Sequence, residues 1–188
     1  MIEQLAASFE DYRDSGLIEH SVRDLVAQRV MPLALGYEDL NDHDELRGDP
    51  LLALVVGKRD LLGEWRFRER DEGKALAGKS TLNRLELSAV ETDQYKKTPV
   101  GPEAVERMLV ELFIQTREPE PQLLILDVDT TCNVVHGQQE GRFFQGYYDE
   151  YCYESRYVFC GPWPLERPFE DGRGWRRLRE RWRIWSAS

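Results

Sequence analysis

Up to about residue 116 the apolar positions recur at helical spacing. Ser21 precedes Val22, Leu25, Val26, Val30 and Leu33, a stripe that runs toward Gly36. Asp24, three residues after Ser21, completes a capping pair, and Pro32 predicts a kink in the last turn. Asp49-Pro50 opens a second helix over residues 51–56, and Gly57 closes it. Residues 57–78 are charged and punctuated by glycine, which predicts a solvated or partly mobile connection. Ser80 is the capping candidate for the helical segment TLNRLEL. Pro102 begins a further helix whose stripe is Val105, Met108, Leu109, Leu112 and Phe113.

Beyond Glu118-Pro119-Glu120-Pro121 the period changes. Residues 123–128 form a short continuous apolar run bounded by turn residues, which suits a strand buried on both faces. Aromatic and β-branched residues accumulate in residues 146–153 and 156–160, predicting two further strands. The fold class read from this order is α+β: a helical region followed by a three-stranded meander.

Charge and composition narrow the setting. The chain of 188 residues is 41% hydrophobic and 32% charged, and no apolar run approaches the ~20 residues that span a bilayer. The first residues carry no export or organelle signal, so the expected location is cytoplasmic, with no membrane partner. Cys132, Cys152 and Cys160 are odd in number and widely spaced, indicating reduced thiols rather than a disulfide framework or a zinc knuckle. The net charge of −10 is unevenly spread: residues 161–188 hold seven Arg against four acids, together with four of the five Trp. The acidic remainder argues against strong autonomous binding to a phosphate backbone, whose affinity comes from Lys and Arg displacing counterions.

The candidate chemistry lies in LLILDVDTT, residues 123–131. In a strand Asp127 and Asp129 point to one face, about 7 Å apart, and can share a divalent cation. Mg²⁺ suits such hard oxygen ligands, completed by water and substrate phosphate. Asp127, Asp129 and Thr131 also match the D-x-D-x-T of haloacid-dehalogenase-like phosphatases, in which the first acid is the nucleophile and the second the general acid. That alternative requires a downstream basic residue, normally Lys, and a parallel βαβ arrangement. No Lys follows Lys97, and the next strands read as antiparallel.

Four blocks, in order and at these intervals, resemble insertion-sequence transposases of the DDE type, in the group catalogued as thirteen-eighty. They are RVMPLALGYEDLNDHDELRGDPLLALVVGK (29–58), KSTLNRLEL (79–87), LLILDVDTT (123–131) and HGQQEGRFFQGYYDEYCY (136–153). The resemblance implies an RNase H-like catalytic domain whose two aspartates and one glutamate hold two metal ions, activating water or a DNA 3′-hydroxyl for in-line attack on a phosphodiester. Carried over, Asp129 is the first catalytic acid, with Asp127 a secondary metal ligand or support and Mg²⁺ the implied cofactor. The implied partner is the DNA at the ends of the element. Ser80, Thr81, Asn83 and Arg84 on one helical face, and His136, are the residues expected to contact it. Ser80 as a helix cap, and His136, Gly137, Gln139, Glu140 and Gly141 as a glycine-bounded turn, explain the same blocks structurally. Gly146-Tyr147-Tyr148 reads as packing of a sheet rather than stacking on a base.

This reading divides the chain into a helical, DNA-binding region over 1–118, a partial catalytic domain over 119–160 holding the first three strands of an incomplete RNase H-like fold, and an Arg/Trp-rich tail over 161–188. The resemblance stops at Gly161, where the second Asp and the Glu have no counterpart; the tail reads either as a basic aromatic patch for nucleic acid or, the favoured expectation, as a frame-shifted reading of the gene. The expected function is that of a transposase fragment without activity on its own. The non-enzymatic alternative is a DNA-binding or dimerising inhibitor that pairs with intact transposase or with itself. An open edge at the first strand predicts marginal stability of the C-terminal half.

Overall fold

The computed structural model of the chain describes residues 1–87, 92, 94–117, 122–139, 141–166 and 169–170. It divides into two compact units, Met1–Met108 and Leu109–Ser188. Together they form an α+β protein of helices followed by a five-stranded antiparallel sheet. No helix among the described residues is long and apolar enough to cross a membrane.

The first unit contains α1 (Ile2–Ala6), α2 (Val22–Ala34), α3 (His43–Leu46), α4 (Pro50–Val56) and α5 (Lys79–Glu86), and the start of α6 (Pro102–Gln115). The Ser21 hydroxyl accepts the amide of Asp24 at the start of α2, as its position predicts. Asp49 accepts the amides of Leu51 and Leu52, Pro50 takes the first turn of α4, and Gly57 closes it at φ +90°. Helix α2 runs through Pro32 and ends two residues later, with Pro32 buried. Leu33, expected in its stripe, is exposed, whereas residues 25–28 are all buried. Four consecutive buried residues make α2 the central helix. Ala27 packs with Leu52, Ala53, Val56, Ala75 and Leu76, while Leu25 and Val26 pack with Ala77, Leu82 and Leu85.

Residues 57–78 are in part the solvated connection that their charge predicts, exposed throughout 67–70, but the segment also reaches the core. Ala75, Leu76 and Ala77 lie in the core. The Asp60 carboxylate accepts the amides of Leu62, Gly63 and Trp65. Arg47 pairs with Asp71 at 2.6 Å, and Arg66 with Glu19 at 3.1 Å. The charges of this segment satisfy the backbone of a non-repetitive loop, so polarity here reflects internal bonding. Ser80 does not cap α5: the N-cap is Gly78, with no side-chain hydrogen bond, and Ser80 sits exposed inside the first turn.

The second unit is organised by one long strand. It contains β1 (Asp127–Val134), β2 (Phe143–Gln145), β3 (Glu150–Cys160), β4 (Trp163–Glu166) and β5 (Phe169–Glu170). β1 pairs along β3 from Asp127↔Phe159 to Val134↔Cys152. β2, β4 and β5 pair with the same strand, so they share its opposite edge. The two strands expected over 146–153 and 156–160 are therefore one strand, and β2 had no clear signal in the sequence. The first strand also differs from expectation. Residues 123–126 carry no strand structure and are exposed, Leu123 at 77% and Ile125 at 75%. The ladder begins at Asp127 because β3 turns back at Gly161 (φ +59°) and Pro162, leaving no partner for the preceding residues. The apolar side of the sheet is instead Cys152, Val158 and Cys160, all buried.

Candidate functional site

Asp127 and Asp129 open β1 and are exposed. Their register partners are Phe159 and Tyr157, whose rings stack 6.1 Å apart at 22°. Cross-strand partners share a face, so the two aspartates stand beside an aromatic pair on one side of the sheet. Asp129 accepts the amide of Thr130 through Oδ1 at 2.9 Å, which leaves its other oxygen for a ligand. Two exposed aspartates on one strand face are hard oxygen donors of the kind Mg²⁺ takes, one or two at a time, with water and phosphate oxygens completing its octahedron. Among the described residues no group of three or more His, Cys, Asp or Glu side chains is placed to hold a metal ion.

The loop after β1 bends through Gly137 and Gly141, both at positive φ (+79° and +80°). Those torsions account for the two glycines as turn residues. His136 is exposed there, and its carbonyl accepts Gln139 Nε2 at 3.3 Å. Glu140 lies outside the described residues. Tyr147 and Tyr148 do not pack against a sheet. They occupy the turn between β2 and β3 and are 85% and 59% exposed.

In the first unit, the residues expected on one face of α5 divide. Thr81 and Arg84 line a cleft of about 280 Å³ together with Arg13, Tyr95 and Lys97. Ser80 and Asn83 are exposed and do not line it. Helical spacing explains the split, since Thr81 and Arg84 are three apart on one ridge, while Leu82 turns into the core and the buried Leu85 lines the cleft as well. Three cations, Arg13, Arg84 and Lys97, line the cleft with the one lining carboxylate of Asp14. Arg13 is held in place by a two-pronged pair with Asp11. It also donates to the carbonyl of His20. Arg13 and Lys97 are distant from α5 in sequence, which is why spacing gave no sign of them.

A buried charged cluster lies elsewhere in this unit. His20 Nδ1 is 3.3 Å from Lys58 Nζ, and its Nε2 is 3.1 Å from Arg66 Nη2. Burial, reinforced by both cations, lowers its pKa to about 4. A neutral imidazole accepts at one nitrogen only, so the tautomer selects which cation it bonds. Glu19 and Asp24 pair with the two cations from outside. The cluster is complete in itself and ties α2 to the loops after α4.

With this geometry in view, the comparisons define the class. The chain matches the family described as transposase DDE domain group 1 over residues 1–168. It belongs to that transposase family, whose members generally use a divalent metal. The match passes through the β3–β4 turn at Gly161 and includes β4. No curated protein and no solved structure matches the chain.

Proposed function

We propose that this chain serves DNA transposition of an insertion sequence, with Asp129 as the first acid of an RNase H-like site and Asp127 as its neighbouring support. The observation that carries the reading is the family match, which spans both the α5 cleft and the aspartate-bearing strand. The topology supports it: β3 lies between β1 on one edge and β4 on the other, all antiparallel, as in the opening meander of an RNase H-like sheet. Antiparallel pairing at the aspartates also favours this reading over the phosphatase alternative, which needs a parallel crossover. Mg²⁺ bound by Asp127 and Asp129 would supply charge neutralisation at a phosphate oxygen. The cation-lined cleft at Thr81 and Arg84 is suited to a DNA backbone phosphate.

The chain on its own is proposed to bind DNA without cutting it, because two carboxylates cannot position two ions on the attacking and leaving oxygens. The lack of a larger acidic cluster among the described residues, together with a cleft suited to DNA in the first unit, supports a second reading as an inhibitor that occupies element ends in place of intact transposase. The test is a gel-shift and cleavage assay of the purified chain on duplexes from the ends of the element flanking its gene, with and without Mg²⁺. Selective, salt-sensitive binding without cleavage is the expected result. Equal affinity for scrambled duplexes would overturn the DNA-end reading. Mg²⁺-dependent cleavage abolished by Asp129→Ala would overturn the inactivity.

A further inference from the structure

We infer that the β2–β3 hairpin is a stacking platform for unpaired bases of a DNA strand, an inference that rests on the proposed action on DNA. Four aromatic side chains gather at this end of the sheet and stay open to solvent: Phe144, Tyr147, Tyr148 and Tyr151 are 50%, 85%, 59% and 45% exposed. Solvent-exposed aromatics on this scale are not packing a core, since burial is what makes such rings stabilising in a fold. They are ordered by one another instead. Phe144 and Tyr151 meet edge to face at 5.3 Å, and Tyr147 and Tyr148 do so at 4.8 Å. An edge-to-face pair leaves ring faces available for a further flat partner.

Arg142 adds the second ingredient of such sites. Its guanidinium lies 4.1 Å from the centre of the Tyr151 ring and also donates to the carbonyl of Gly137, so it is held over the aromatic face. The occupant follows from the rings and their arginine, which are the stacking elements of single-strand sites, with Asp149 and Glu150 on the turn beside them. Affinity here comes from stacking, and duplex bases already stacked on one another cannot use it. Unpaired bases can.

Register connects the platform to the aspartates. Phe144 pairs with Tyr151, and Tyr151, Tyr157 and Phe159 alternate onto the face that carries Asp127 and Asp129. From the level of Tyr151 to that of Tyr157, opposite Asp129, is six residues of strand, about 20 Å. A stacked strand rising about 3.4 Å per nucleotide covers that span in roughly six nucleotides. The platform therefore holds bases several nucleotides from a phosphate at Asp129.

The experiment is fluorescence anisotropy of the full chain with a labelled oligothymidine, the same backbone made abasic, and an element-end duplex. Expected are binding of the oligothymidine, at least tenfold weaker binding of the abasic strand, and a similar loss in the Tyr147→Ala, Tyr151→Ala double variant. The corresponding Phe variants, which keep the ring, retain binding, and circular dichroism verifies that the alanine variant is folded. Equal binding of the abasic strand, or an unchanged alanine variant, overturns the inference. Binding of the element-end duplex without oligothymidine binding removes the platform and leaves the proposed function standing. Oligothymidine binding without selectivity for the element end does the reverse.

Discussion

Gln28 grips the backbone of Ala77 from both sides: its Nε2 donates to the Ala77 carbonyl at 2.7 Å, and its Oε1 accepts the Ala77 amide at 2.9 Å. Both residues are buried, at 1% exposure each. This pair fastens the loop before α5 to the central helix, so it sets where Thr81 and Arg84 stand. Gln28→Leu keeps the volume but strands a buried donor and acceptor, each costing about 1–3 kcal/mol. The expected outcome is a destabilisation of about 2–4 kcal/mol in urea unfolding, and a change below about 0.5 kcal/mol would show that the loop is held by other contacts.

His20 predicts the pH response. Its folded pKa is lowered from 6.5 to about 4, mainly by burial, so the unfolded chain binds the extra proton between those values. Stability is then fully present above about pH 6.5 and falls as the pH drops toward 4. Burial also lowers the pKa of His43, which acts in the same direction. The urea midpoint should decline between pH 7 and pH 4.5, and His20→Gln should flatten that decline without abolishing it. A midpoint independent of pH across this window would contradict the cluster as described.

Asp129 separates metal binding from folding. Because it is exposed and its one described hydrogen bond is to the next amide, Asp129→Asn should alter stability by less than about 0.5 kcal/mol. Titration with Mn²⁺ as a spectroscopic substitute for Mg²⁺ should find one weak site, lost in Asp129→Asn and weakened in Asp127→Asn. Retention of the site in the double variant would place the metal elsewhere.

Arg84 tests the cleft. Neutralising a phosphate contact weakens DNA binding evenly across sequences and lowers the salt slope by about one. Arg84→Ala and Lys97→Ala should each show that behaviour with an element-end duplex, whereas Lys58→Ala, outside the cleft, should leave the slope unchanged.

The thiols report on the sheet. Cys152 and Cys160 are buried, and burial, followed by a hydrogen bond to Cys132 that favours the neutral thiol, pushes the Cys152 thiol up to about 12. Alkylation of the native protein should modify Cys132 first, with Cys152 reacting only on unfolding. Rapid modification of Cys152 at neutral pH would mean that β1 and β3 separate readily.

Much of the first unit was legible because its signals are local. Ser21, Asp49, Pro50 and Gly57 act on amides within a few residues, and the structure places each where its chemistry requires. Ser80 failed as a cap because the helix starts two residues earlier, at a glycine-capped turn fixed by the buried Ala77 before it. Charge was a partial guide in residues 57–78, where 67–70 are exposed but Asp60 and Arg66 are internal bonding partners. In the second unit the apolar run 123–128 has the composition of a buried strand, but burial needs a neighbour, and β3 ends before it reaches those residues.

The sequence by itself determined the helix ends at Ser21, Asp49-Pro50 and Gly57, the change from a helical to a strand-forming half, the Asp127–Asp129 pair and the transposase resemblance, since each rests on spacing along the chain. Tertiary structure alone decided that the aspartates begin an exposed strand, that Arg13 and Lys97 join Arg84 in one cleft, and that the hairpin tyrosines face solvent. Exposure and convergence depend on which distant segments arrive as neighbours. That is a property of the whole packed chain, to which no local pattern is sensitive.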